Sequence, residues 1–100
     1  MSTIRVALPA HLRALAGVGA EISLEVPDPP TADRLLDILE ADHPMLRGTI
    51  REHGTRRRRA YIRYLAGGRD ISFEPTDVPL PAGVIAGEDV FRVVGAISGG

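Results

Sequence analysis

Several groups of residues in this 100-residue chain are of the types that carry chemistry. His11, His43 and His53 are the only imidazoles, and none lies within four residues of another. No metal-ligand spacing follows from them, and the absence of cysteine removes thiolate ligands, disulfides and a thiol nucleophile. Glu40, Asp42 and His43 sit close together but read as a polar helix end, and Glu88–Asp89 as turn residues before a strand. Gly17-Val18-Gly19 lacks the third glycine of a dinucleotide fingerprint and does not open a helix after a strand. The serines have no nucleophile-elbow context. The remaining candidates are the basic run Arg56–Arg59 and the pair Gly99-Gly100.

The Arg run invites a nucleic-acid reading, and its surroundings argue against it. Formal net charge is −1. Residues 51–69 hold seven Arg against one acid, whereas 21–50 hold seven acids against two Arg, and 70–100 five acids against one. The run has no interleaved aromatics. A solvated loop, or a patch for an acidic protein partner, is the expected role. All basic residues are Arg, so the chain offers no lysine amine for isopeptide bonding.

Gly99-Gly100 suggests chemistry at a carboxyl rather than at a side chain. A terminal carboxylate has a pKa of roughly 3.5, is ionised at neutral pH and is a poor electrophile until activated. Activation as an acyl-adenylate requires threading the terminus into a narrow site. Glycine, without a Cβ, allows that close approach. Six extended residues reach roughly 20 Å, so a folded body can dock outside while Gly100 enters.

The elements that must present such a tail are legible as periodicity. Thr3–Leu8 alternates apolar and polar residues, as does Glu21–Val26, and the two are expected to pair as an antiparallel ribbon. Residues 10–16 can form a short helical turn that ends at Gly17. Thr31 is a good N-cap for a helix to about Asp42, with Ala32, Leu35, Leu36 and Leu39 as its apolar stripe. Met45–Arg51 predicts a second helical turn, and 52–59 a loop. Tyr61–Ala66, Gly67-Gly68 and Asp70–Phe73 predict a hairpin. Residues 74–87, rich in proline and glycine, predict a loop pinned to the core by Val78, Leu80, Val84 and Ile85. Val90–Val94 predicts the last strand. One amphipathic helix needs one sheet face to cover its stripe. The expected fold is therefore α+β, a four- to five-stranded mixed sheet packed on one main helix, with a domain over 1–94 and a flexible tail over 95–100.

This order, with its diglycine end, resembles the ubiquitin-like β-grasp proteins, and most closely the MoaD/ThiS-family sulfur carriers. The resemblance is most specific in YIRYLAGGRDISF, in GEDVFRVV and in the closing SGG. It implies a carrier protein, not an enzyme, that acts as co-substrate or as the small subunit of a synthase such as molybdopterin synthase. Gly100 would be the thiocarboxylate acceptor, with Gly99, Ser98 and Ile97 read by partners. Those partners would be an adenylyltransferase resembling ubiquitin-activating enzymes, a sulfurtransferase or persulfide donor, and a client synthase. No cofactor is expected on the chain itself; ATP and Mg²⁺ would act through the activating enzyme. An exposed sheet face should make the contact, with Tyr64, Phe91 and Val93 as candidates. The same tail fits a ubiquitin-like modifier, and the body alone fits a non-covalent binding module. The start MSTIRVALPA is not a basic-then-apolar leader, and no apolar run approaches the roughly 20 residues of a membrane span, so a cytoplasmic protein is expected.

Overall fold

The computed structural model describes residues 1–95. The elements run β1 (Ser2–Ala7), α1 (Ala10–Ala16), β2 (Ile22–Val26), α2 (Ala32–Asp42), a 3-10 turn (Pro44–Leu46), β3 (Ile62–Ala66), β4 (Arg69–Asp70), α3 (Ala82–Ile85) and β5 (Phe91–Gly95). Five strands form one mixed sheet in the order β2-β1-β5-β3-β4. β1 and β2 pair antiparallel, Ile4 opposite Leu24. β5 lies parallel to β1, with Val6 opposite Phe91, and antiparallel to β3, with Tyr64 opposite Val93. The first and last strands thus form the centre of the sheet.

The alternation in β1 and β2 sends Ile4, Val6, Leu24 and Val26 to one face, and all four are buried. β3 and β5 add Ile62, Tyr64, Phe91 and Val93 to the same face. α2 covers it with the predicted stripe of Ala32, Leu35, Leu36 and Leu39. Burial of four such side chains is worth about 1.5–3 kcal/mol for each Leu relative to exposure, which is why the helix docks despite its modest length. The Thr31 hydroxyl caps α2 by accepting from the Arg34 N–H at 3.1 Å. Asp33 stands in the first turn, where the helix dipole favours a negative charge.

Several local expectations change. The predicted return strand Asp70–Phe73 pairs only at Arg69 and Asp70. Asp70 Oδ1 accepts the Ser72 N–H at 2.8 Å, and Ser72 Oγ accepts the Tyr64 N–H at 2.8 Å. A serine side chain thereby takes the place of a ladder carbonyl, and the strand stops. Residues 82–85, expected in a loop, form the single turn α3, which inserts a fully buried Val84. Leu80 is buried as expected, whereas Val78 is exposed. The second helical turn is confined to Pro44–Leu46. The last strand, expected over Val90–Val94, runs Phe91–Gly95.

Candidate functional site

Gly95, the last of the described residues, pairs with Ile62 at the start of β3. Tyr61, immediately before Ile62, is partly exposed. Its ring carries the Arg59 guanidinium at 5.2 Å, and its hydroxyl accepts from Arg59 Nε at 2.8 Å. Arg59 also donates to the Gly48 carbonyl at 3.1 Å. The end of β5 at Gly95 is therefore paired with a strand start that follows directly on an arginine–tyrosine pair. Ile97, Ser98, Gly99 and Gly100 lie outside the described residues.

Tyr64, Phe91 and Val93, the expected partner surface, are core. Each is no more than 1% exposed, and the Tyr64 and Phe91 rings pack at 5.3 Å between centroids. Burial pushes the Tyr64 phenol up to about 12, opposed by the charges of Arg51 and Arg58. Side chains of a strand alternate faces, so the outward positions are the intervening ones. These are Arg63 opposite Val94 and Leu65 opposite Arg92. Leu65 and Val94 are half-buried, and Arg92 is exposed. On β1 and β2 the same face carries Thr3, Arg5, Ser23 and Glu25.

Phe73 belongs to this surface and was not singled out by sequence. It is 79% exposed, yet the guanidinium of Arg63 stacks on it at 5.2 Å and that of Arg58 at 4.9 Å. An exposed aromatic held between two cations is rigid, amphipathic contact area. Its exposure follows from β4 ending at Asp70, where the sequence predicts a strand through Phe73. Toward the β2 edge of the same face Arg5 bonds Glu21 at 2.6 Å and the Gly87 carbonyl at 2.9 Å. The hydrogen bond from Arg5, helped by the charges of Arg5 and Arg92, holds the Glu21 carboxyl below its ordinary range against desolvation, which pushes it up.

The basic run lies in an exposed loop, as expected, and its side chains also fasten that loop to the fold. An isolated bridge between Arg51 and Arg58 closes the loop at its base. Arg58 donates to the carbonyls of Ser72 at 3.1 Å and Ile62 at 2.6 Å. Arg56 bonds Asp37 at 2.7 Å. Arg57 alone of the four engages no partner through its side chain among the described residues, and it is exposed. The run therefore fastens its loop to β3, the 70s turn and α2, which no charge count could disclose.

Among the described residues no cluster of His, Asp and Glu is arranged to hold a metal ion. Likewise, no helix there is long and apolar enough to cross a membrane.

No protein-family model matches the chain, and no curated protein matches it. Solved structures do. The small archaeal modifier protein 1 of Methanosarcina acetivorans superimposes with a TM-score of 0.73 at 25% identity, covering 100% of this chain and 98% of that one. Its namesake from Haloferax volcanii gives 0.74 at 22% identity, over 98% and 99% of the two chains. A chain of the Amycolatopsis orientalis BexX/CysO complex gives 0.69 at 20% identity, over 96% and 98%. Two of these neighbours are named as small modifier proteins, and the third was solved in a protein complex. With its mixed five-stranded sheet packed on α2, this chain has the ubiquitin-like β-grasp fold, shared along nearly its whole length with the small archaeal modifier proteins.

Proposed function

We propose that this protein is a carrier whose working atom is the Gly100 carbonyl carbon, and that the β-grasp body addresses it to partner proteins. The observation that carries the reading is the diglycine five residues beyond the central strand β5 of a ubiquitin-like fold. The carboxylate attacks the α-phosphorus of ATP on an activating enzyme, releasing pyrophosphate and forming an acyl-adenylate. The terminal sulfur of a persulfide then attacks the acyl carbon and AMP leaves. A thiol cleaves the resulting S–S bond, becoming oxidised and freeing the Gly100 thiocarboxylate. That group is a better nucleophile than the carboxylate, and its sulfur stays tethered until a client synthase takes it. Partners dock on the outward sheet face, where Leu65, Val94 and Phe73 offer apolar area within a rim of Arg63 and Arg92. A short apolar patch ringed by arginine suits a transient contact in which area is small and a few anchors dominate.

The test is intact mass. Incubation with ATP, Mg²⁺, a cognate adenylyltransferase and a persulfide donor should replace one oxygen by one sulfur at Gly100. An unchanged mass with an enzyme that releases pyrophosphate on this chain would overturn the sulfur-carrier reading.

A second reading is favoured by the neighbours named as modifiers. In it the activated Gly100 is joined to amines of other proteins. Because the chain has no lysine, branched self-chains through side-chain amines cannot form, and single additions are expected. Immunoblots of a tagged chain would show discrete adducts that vanish when Gly99 and Gly100 are deleted. Persistence of the cellular phenotype after that deletion would instead point to a non-covalent binding module.

A further inference from the structure

On the helix side of the sheet, away from the outward face, a recess of about 430 Å³ opens between the 51–58 loop and α2. Its walls include Arg51, Arg56, Arg57, Arg58, Thr55 and Asp33. Four arginines thus line one concavity in a chain with net charge −1.

Arg51 is the informative member. Its side chain is 3% exposed. Nε donates to Glu40 at 2.9 Å and Nη2 to Asp37 at 2.9 Å. Nη1 is buried and has no acceptor among the described residues. A buried donor on a charged group is costly to leave unpaired, and such groups call for a missing partner. The two carboxylates that bind Arg51 approach from α2, so they do not satisfy the nitrogen that remains. Asp37 is also shared with Arg56.

Arg57 is the second member. It is exposed and its guanidinium is unengaged among the described residues, unlike those of its three neighbours in the run. The loop that presents it is shaped by Arg56 at φ 59, a left-handed conformation seldom adopted by residues other than glycine. Strain of this kind is retained where surrounding structure holds it, often beside binding sites. The Thr55 hydroxyl adds a neutral polar group to the wall. Asp33 is the one carboxylate lining the recess; with Asp37 and Glu40 counted behind it, the four arginines still leave a net positive charge.

We infer that this recess binds a compact oxyanion of the phosphate class, with Arg51 Nη1 and the Arg57 guanidinium as its principal donors. Paired N–H donors match tetrahedral oxyanions, and a donor already buried is desolvated before the ligand arrives. An extended polyanion fits less well. The cations surround a recess rather than forming a stripe, and Arg56, Arg58 and Arg59 are committed to holding the loop. The inference is independent of the tail chemistry, because none of these residues belongs to β5 or follows it.

The experiment is an amide-resolved NMR titration of the full chain with inorganic phosphate, against chloride at the same ionic strength. Saturable shifts centred on Arg51, Thr55–Arg58 and Asp33 are expected with phosphate only. Arg57→Gln should weaken binding by about three- to tenfold, the range for losing one exposed charge-assisted contact. Its thermal midpoint should stay unchanged, since Arg57 holds nothing else in place. Methyl phosphate, titrated in parallel, separates a phosphomonoester from the free ion by which of the two saturates at lower concentration. Linear shifts equal to those in chloride would overturn the site. So would wild-type affinity in Arg57→Gln, or saturation by a short RNA without any by phosphate.

Discussion

Arg51 Nε lies 2.9 Å from Glu40 Oε2, joining a buried arginine to the last turns of α2. The contact ties the irregular 47–59 segment to the helix that covers the sheet, with Asp37 one turn earlier as a second acceptor at 2.9 Å. Burial alone would push the Arg51 pKa down; hydrogen bonds and charge from Glu40 and Asp37 outweigh it and raise it. Breaking a buried pair leaves an uncompensated charge, which costs about 3–5 kcal/mol. Arg51→Ala is expected to lose stability of that order in urea denaturation. Arg51→Met combined with Glu40→Leu should recover most of the loss, because the pair is replaced by packing. An Arg51→Ala midpoint within error of wild type would show that the contact is dispensable.

Acid should unfold the protein through a defined set of carboxylates. Burial pushes Asp37 up, but hydrogen bonds from Arg51 and Arg56 hold it below its ordinary range. Asp70 is lowered by the hydroxyl and N–H of Ser72, Asp28 by the N-terminal ammonium, and Glu21 by Arg5. A depressed folded pKa gives stability that is complete above the unfolded value, near 4 for these groups, and is lost as pH falls through the folded value. The thermal midpoint should therefore be flat from pH 7 to about 5 and fall below about 4. Asp37→Asn should be less stable than wild type at neutral pH and fall less on acidification. Parallel acid limbs in the two proteins would remove Asp37 from the set.

The two faces of the sheet should respond oppositely to substitution. Tyr64→Ala and Phe91→Ala remove large buried side chains and are expected to cost about 3–5 kcal/mol each. Leu65→Glu and Val94→Glu alter the outward face and should leave the urea midpoint nearly unchanged. They should slow adenylation of Gly100 by its activating enzyme about tenfold or more, the size of an interface anchor, read as pyrophosphate release. Normal adenylation of both outward variants would move the docking surface elsewhere.

The hairpin glycine Gly67 is constrained twice. It sits at φ 57, and a Cβ there would lie 2.7 Å from Asp89 Cγ. Gly67→Ala is expected to cost about 1–2 kcal/mol for the left-handed backbone alone. The remainder is the displacement of the Asp89 carboxylate, which also leaves no room for a Cβ at Gly83. Combining Gly67→Ala with Asp89→Ala should be less than additive, because the second change relieves the contact but not the φ. Strict additivity in a denaturation cycle would mean that the two residues do not meet.

Thr31→Ala should destabilise by about 1 kcal/mol, since the hydroxyl satisfies the Arg34 N–H that the helix itself cannot. Thr31→Asn or Thr31→Asp should restore most of the loss, measured by thermal unfolding.

Local features of the chain sufficed for much of this. The period-2 runs Thr3–Leu8 and Glu21–Val26, the Thr31 cap, the leucine stripe of α2 and the Gly67-Gly68 turn all express short-range sterics and amphipathicity, and each sits where its residues demand. The sides of β3 and β5 were not legible in this way. Tyr61–Ala66 and Phe91–Val94 carry apolar residues at both parities, so alternation alone does not say which parity faces the helix. Pairing across the centre of the sheet chooses it, sending Tyr64, Phe91 and Val93 inward and Leu65 and Val94 outward. The arginine run was opaque for a related reason. Its partners, Asp37, Ser72 and Ile62, are remote in the chain, and a charge becomes a fastener or a ligand donor only when folding brings its acceptors within about 3 Å.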